Sequence, residues 1–316
     1  MTLRRVLGSL VVGLLVAGCA HSAPASPAGS HRASGYRDAA YPNTRGVAAL
    51  RAGLAPRGQD SPYYLSLGDS LAQGIQPGPT GADGPTDDGY PDVLAAMIRT
   101  AIPGLRLIKL GCSGETTLTM MHGGICHYPA GSQLAQAVSF LRSHRGHVAL
   151  VTIDIGANDP NSCVLHQPAS HLFSCLSGQV TQTERNVSRI VARIRAAAGP
   201  RVLIVGMTYY VPELALWRKG QAGKGLAILT EGLAAGVNQL IVERYHRYGA
   251  RIADVFAAFK STDFGRKRAD SVTPPNVAAI CSLTWMCAPP PRGPNEHANN
   301  AGYRVIAGSF WQAINR

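Results

Sequence analysis

Charge is scarce in this chain. Only 15% of its 316 residues are Asp, Glu, Lys or Arg, against 46% hydrophobic, whereas soluble domains average about 25% charged. That balance excludes a disordered chain, which carries high net charge and little to bury. Acidic side chains are the rarer sign, 18 against 30 basic, for a formal charge of +12. No Cys-x-x-Cys pair occurs, so the commonest zinc framework is missing. No strip of basic residues interleaved with aromatics is present, which argues against nucleic acid as a partner. No period repeats, which excludes solenoids and propellers. The apolar run Val6 to Ala17 stops at 12 residues, short of the roughly 20 needed to span a bilayer core.

That short run follows Arg4-Arg5 and leads into Val16-Ala17-Gly18-Cys19. A basic start, an apolar stretch and small residues before a cut form a signal peptide over residues 1–18. The Val-Ala-Gly-Cys sequence resembles a bacterial lipobox, which implies lipidation of Cys19 and a membrane anchor through it. Removing residues 1–18 leaves 28 basic against 18 acidic side chains, a balance of +10. Export redirects that positive charge from nucleic acid toward anionic lipids or cell-envelope polymers. The densest basic run, Arg266-Lys267-Arg268, lies between Asp263 and Asp270 and reads as a solvated loop. From Ala20 to Pro62, Ala, Ser, Pro and Gly supply 26 of 43 residues, so residues 19–62 read as a flexible tether and 63–316 as the folded domain, expected to be a monomer.

Within that domain, short apolar runs alternate with stretches of helical period. Candidate strands are Tyr63 to Leu67, Leu105 to Leu110, Val148 to Ile153, Val202 to Val205 and Ala250 to Ala253. Val187, Ile190, Val191 and Ile194 mark one helix, entered through Thr181-x-x-Glu184 as a capping box and closed by Gly199-Pro200. Leu229, Leu233, Val237, Leu240 and Ile241 mark a second, and Tyr303, Ile306, Phe310, Ala313 and Ile314 a terminal one. Alternating βα units predict an α/β fold, a three-layer α/β/α sandwich around a parallel sheet of about five strands. Ligands of such sheets sit beyond the carboxyl ends of the strands.

Chemistry-bearing residues stand at those ends. After the first strand comes Gly68-Asp69-Ser70-Leu71, where a serine at a strand-to-helix turn can present its hydroxyl. The second is followed by Gly111-Cys112-Ser113-Gly114-Glu115-Thr116-Thr117, whose Gly114 lets a backbone N–H approach a ligand closely. The third is followed by Gly156-Ala157-Asn158-Asp159, whose Asn158 offers a neutral donor. His297 stands in Pro294-Asn295-Glu296-His297-Ala298-Asn299-Asn300-Ala301-Gly302-Tyr303, just ahead of the terminal helix, where it can serve as general base. Each segment alone is also ordinary turn or capping sequence.

In this order and context the four segments resemble the SGNH, or GDSL, hydrolase family, over about Tyr63 to Arg316. The resemblance implies a serine esterase or lipase that needs no cofactor or metal. It assigns Ser70 as nucleophile, the N–H groups of Ser70 and Gly114 with the Asn158 amide as oxyanion donors, and His297 as base. The family usually has Asp three residues before that histidine; here Pro294 stands there. The resemblance includes a secreted, disulfide-bonded branch working with a Ser-His dyad, so the Pro294 carbonyl is expected to orient His297, with Glu296, Asp254 or Asp270 as alternative carboxylates. Six cysteines besides Cys19 allow fifteen connectivities. Their order, and the short-loop pairing seen in that branch, suggest Cys112–Cys126, Cys163–Cys175 and Cys281–Cys287; the competing reading is zinc on His122, Cys126 and His127. Substrates fitting the resemblance are lipid or small-molecule esters, with acetylated polysaccharides next and a non-catalytic binding lipoprotein as the alternative class. Met120, Met121, Leu283, Trp285 and Met286 are candidate walls of an acyl groove.

Overall fold

The computed structural model describes residues 45–52, 54, 62–265 and 273–316. The proposed leader, Cys19, the basic run at 266–268 and Asp270 lie outside them. In chain order the elements are α1 (Arg45–Ala52), β1 (Tyr63–Gly68), α2 (Ser70–Gln73), β2 (Ile75–Pro77), β3 (Asp83–Pro85), α3 (Tyr90–Arg99) and β4 (Arg106–Lys109). There follow α4 (Thr117–His122), α5 (Gln133–Ser143), β5 (Val148–Asp154), α6 (Asn161–His166), α7 (Ala169–Ala198) and β6 (Leu203–Met207). A 3-10 helix (Pro212–Lys219) leads into α8 (Gly220–Arg247), β7 (Arg251–Ala253), α9 (Val255–Ala258), α10 (Pro275–Leu283) and α11 (Asn300–Asn315).

Five strands pair in parallel in the order β4-β1-β5-β6-β7, and β2 and β3 form a separate antiparallel hairpin. The expected parallel α/β sandwich is therefore the fold. Alternation along each strand sorts side chains onto two faces. Tyr64, Leu150 and Val205 join one buried cluster with Leu94, Tyr303, Ile306 and Phe310, while Leu65, Val151 and Ile204 join the other with Leu134, Val187, Ile190 and Ile194. Fully buried parallel strands need no polar face; all seven residues of β5 are buried.

Two expectations are corrected. Part of the supposed tether is α1, whose Val47 and Leu50 are buried in the cluster holding Phe310 and Ile314 and whose Gly46 N–H donates to Asn315 Oδ1 at 3.0 Å. Two apolar positions one turn apart were enough to seat this helix despite its small-residue surroundings. The capping box at Thr181 is likewise not a helix start: Thr181 lies inside α7 and its hydroxyl donates to the Ser177 carbonyl at 3.2 Å. Residues 174–182 of α7 are all half-buried or exposed, so this stretch needs no apolar period.

The sheet's order changes direction between β1 and β5, since the chain departs from β1 to β4 on one side and returns to β5 on the other. A crevice for ligand opens at such a point. The segments after β1, β4 and β5 all converge there.

Candidate active site

Gly68 ends β1 with φ of 141°, and a Cβ there would stand 2.1 Å from the Asp154 carbonyl oxygen. Only glycine lets the chain turn this sharply against β5. The Asp69 N–H then donates to the Asp154 carbonyl at 3.1 Å, and Asp69 caps α2 by accepting from the Leu71 N–H at 2.9 Å. Ser70 is thereby the first residue of α2, at the carboxyl end of the sheet. Asp69 is pinned from above by the Tyr209 hydroxyl, 2.7 Å from its Oδ2.

Beneath the turn lies Asp154, fully buried. Its Oδ2 accepts from the N–H groups of Asp69 at 3.3 Å and Ala72 at 3.2 Å, and its Oδ1 from the Tyr90 hydroxyl at 2.5 Å. Burial pushes its carboxyl well above the usual carboxylate range, and the adjacent Asp69 carboxylate pushes it further. Burial also raises Asp69, against opposing hydrogen bonds and the nearby His297. Tyr210, next to Tyr209, donates to the Glu296 carbonyl at 2.8 Å, so two adjacent tyrosines tie the Ser70 turn and the segment carrying His297 to one stretch of chain.

The Gly114 loop is tied to the same turn. Cys112 N–H donates to the Gly68 carbonyl at 3.1 Å, and the buried Gln133 side chain exchanges hydrogen bonds with both the N–H and carbonyl of Gly68, at 2.7 and 2.9 Å, while reaching Glu115 Oε2 at 3.0 Å. Gly114 has φ of 79°, and a Cβ there would meet nothing within 4 Å. No protein acceptor takes its N–H among the described residues. Asn158 Nδ2 donates one hydrogen to the Glu115 carbonyl at 3.1 Å, which sets the amide beside this loop and leaves its other hydrogen available. Asp159 fixes Asn158 from behind, holding the Thr117 N–H at 2.7 Å and the hydroxyls of Thr117 and Thr183 at 2.6 and 2.5 Å.

His297 is 5% exposed. Its Nδ1 and its backbone N–H both lie 2.9 Å from Asn295 Oδ1. A backbone N–H can only donate, so that Asn295 atom is an oxygen; in the neutral imidazole Nδ1 then carries the proton and Nε2 the lone pair. Asn295 Nδ2 donates in turn to Asp83 Oδ1 at 2.9 Å, and Asp83 Oδ2 stands 3.7 Å from Nδ1. The expected Pro294 carbonyl is thus corrected: the neighbouring Asn295 side chain takes its place, because its oxygen reaches both N–H groups at once. Asp254 caps α9 and binds Thr208, and among the described residues Asp83 is the only carboxylate within 4.0 Å of the imidazole. The Glu296 backbone carbonyl accepts from Tyr210 at 2.8 Å.

Three disulfides, Cys112–Cys126, Cys163–Cys175 and Cys281–Cys287, close the loops around these residues. Cys126 is consequently no thiolate ligand for zinc. Met120 is fully buried in the core, so it packs rather than lining a groove. Trp285 remains beside the histidine: its N–H donates to the His297 carbonyl at 3.0 Å and its indole to Gln76 Oε1 at 3.2 Å.

Beside this arrangement of a serine at a glycine elbow, the Gly114 and Asn158 segments and a buried imidazole, residues 66–305 match the GDSL-like lipase/acylhydrolase family. The chain belongs to that family. It is accordingly an enzyme of the ester-hydrolysing class. No curated protein sequence matches it. Among solved structures it is similar to an extracellular lipase from Streptomyces rimosus, 20% identical over 80% of this chain and all of that one, with a TM-score of 0.52. It is also similar to phospholipase A1 from Streptomyces albidoflavus, 18% identical over 80% and 100% of the two chains, TM-score 0.50. These likenesses establish the shared fold of the GDSL-like domain.

Asn295 and Asp83 were not anticipated. Asn295 stands in the very segment that carries His297 and was readable as a loop polar group within reach. Asp83 lies 212 residues from Asn295 on the hairpin β2–β3, and nothing local marks it.

Proposed function

We propose that the chain is a serine esterase or lipase that hydrolyses carboxylic esters through an acyl-Ser70 intermediate. His297 Nε2 takes the Ser70 proton as the hydroxyl oxygen attacks the ester carbonyl. The N–H groups of Ser70 and Gly114 and the Asn158 amide hold the tetrahedral oxyanion. The imidazolium then protonates the leaving alcohol, and water, deprotonated by His297, releases the carboxylic acid and restores Ser70. Asn295 fixes the tautomer this sequence requires, with Asp83 behind it.

One observation carries the reading: a nearly fully buried imidazole whose Nδ1 proton is committed to Asn295, at the sheet edge where Ser70 begins its helix. Labelling with a fluorophosphonate is expected to modify Ser70 and to leave Ser70→Ala unlabelled. An unlabelled parent protein would make the chain a binding lipoprotein on an esterase scaffold. A chain-length series of esters separates lipid from acetyl-sugar substrates.

Three disulfides belong to an oxidising compartment, which fits work outside the cytoplasm. We propose in addition that residues 1–18 direct export and that Cys19 carries the lipid anchor. Mass spectrometry of the mature amino terminus tests this.

A further inference from the structure

Among the described residues, the exposed large apolar side chains are Leu118, Ile125, Ile228, Leu229 and Leu233. They fall on two stretches of chain that are both tied to the Ser70 turn. Leu118 is on α4, which follows the Gly114 loop, and Ile125 adjoins Cys126 in the loop leading to Gln133, which binds Gly68. The other three are on α8. Asn238 brackets the backbone of Tyr209, with hydrogen bonds of 2.8 and 2.9 Å, and Tyr209 holds Asp69 beside the nucleophile. The part of α8 before Asn238 continues from that point for roughly 25 Å at 1.5 Å per residue.

Along that length, Ala222, Gly225, Ile228, Leu229, Gly232, Leu233 and Gly236 share one exposed stripe without a charge. Ile228, Leu229 and Leu233 are 53%, 57% and 53% exposed, and side chains built at Gly225, Gly232 or Gly236 would meet no atom within 4 Å. The opposite face is committed: Gly223 and Ala227 pack on the 3-10 helix, and Ile241 and Tyr245 anchor the far end in the core. Such a helix cannot leave the domain to cross a bilayer, but it can lie against one. Its tip has the matching chemistry. Arg218, Lys219 and Lys224 cluster within seven residues, with no acid between Glu213 and Glu231, and Lys224 Nζ sits 5.3 Å over the Trp217 ring. An apolar stripe ending in a cluster of basic side chains is the composition that seats helices at anionic lipid headgroups.

We infer that the exposed stripe of α8 docks the enzyme on anionic lipid bilayers, turning the mouth of the Ser70 site toward the lipid surface. The docking stands on this surface alone; that it delivers ester substrate to Ser70 rests on the function proposed above.

The test uses the full chain carrying Cys19→Ser, so that an environment-sensitive dye can be attached at Ile228→Cys or, as control, at Arg145→Cys on the opposite end of the sheet. Vesicles of phosphatidylglycerol and phosphatidylcholine are expected to blue-shift and brighten the dye at 228 several-fold and to leave the dye at 145 unchanged. Phosphatidylcholine alone should act weakly. Neutralising Arg218, Lys219 and Lys224 to Gln together should weaken the partitioning on the order of 100-fold. The amino-terminal apolar run could tether the chain to vesicles by itself, but it would leave position 228 in water. An unshifted dye at 228 overturns the inference, as does a shift that grows with protein concentration without lipid, which would assign the stripe to a second copy of the chain. Ile228→Asn/Leu229→Asn/Leu233→Asn is expected to keep turnover of a soluble short-chain ester and to lose about ten-fold on esters held in anionic vesicles. If no ester of any kind is turned over, the proposed function fails while the dye still decides the docking.

Discussion

His297 owes its orientation to two residues that act in series. Asn295 relays between a buried imidazole and an Asp83 carboxylate that is 43% exposed. A charge at that distance, partly screened, contributes about 1 to 2 kcal/mol to an imidazolium. Asp83→Asn is accordingly expected to lower kcat roughly 10-fold with KM unchanged. Asn295→Asp should be worse, since it sets two carboxylates against each other. The double variant Asp83→Asn/Asn295→Asp places the carboxylate directly on Nδ1 and an amide behind it, and kcat should recover above both single variants. Steady-state kinetics on the four proteins checks this, and a double variant no better than the poorer single one would refute the relay.

Between elements, Asp154 is the joint. It receives hydrogen bonds from the β1–α2 turn and from Tyr90 at the start of α3, and Tyr90 stacks on Phe310 of α11 with centroids 4.7 Å apart. Burial keeps its carboxyl protonated when the unfolded chain would release the proton near pH 4. The folded state then binds more protons, so this group's contribution is full below the unfolded value and declines as pH rises toward the raised folded one. Asp154→Asn cannot titrate. Whatever constant offset the altered hydrogen bonds bring, its Tm relative to the parent should move in the variant's favour from about pH 4 upward; parallel Tm curves across pH would contradict the assignment. Helices tell a related story. The apolar period of α11 faced the core at every marked position, whereas Leu229 and Leu233 of α8 face solvent. Periodicity reports an apolar face, not what covers it.

For the whole molecule, the disulfides hold the loops that the core does not. Cys112–Cys126 closes a loop with a sequence separation of 14, which in the chain-entropy view contributes about 3 kcal/mol. Cys112→Ala/Cys126→Ala is expected to lose about that much in urea unfolding and to lower kcat by loosening Gly114. Unchanged stability with unchanged kcat would mean that the loop is held by its hydrogen bonds to Gln133 and Gly68 alone.

By itself the sequence determined the five strands, the parallel sheet and the four segments at its edge, because burial on both faces writes continuous apolar runs and sharp turns write glycine. It also carried Asn295 within two residues of His297. What only the tertiary structure decided were the meetings across distance, Asp83 with Asn295, Gln133 with Gly68 and α1 with α11, and the exposure of the apolar stripe of α8. Local patterns record what a residue needs from its own element, whereas partners hundreds of residues away are chosen by packing, which leaves no local mark.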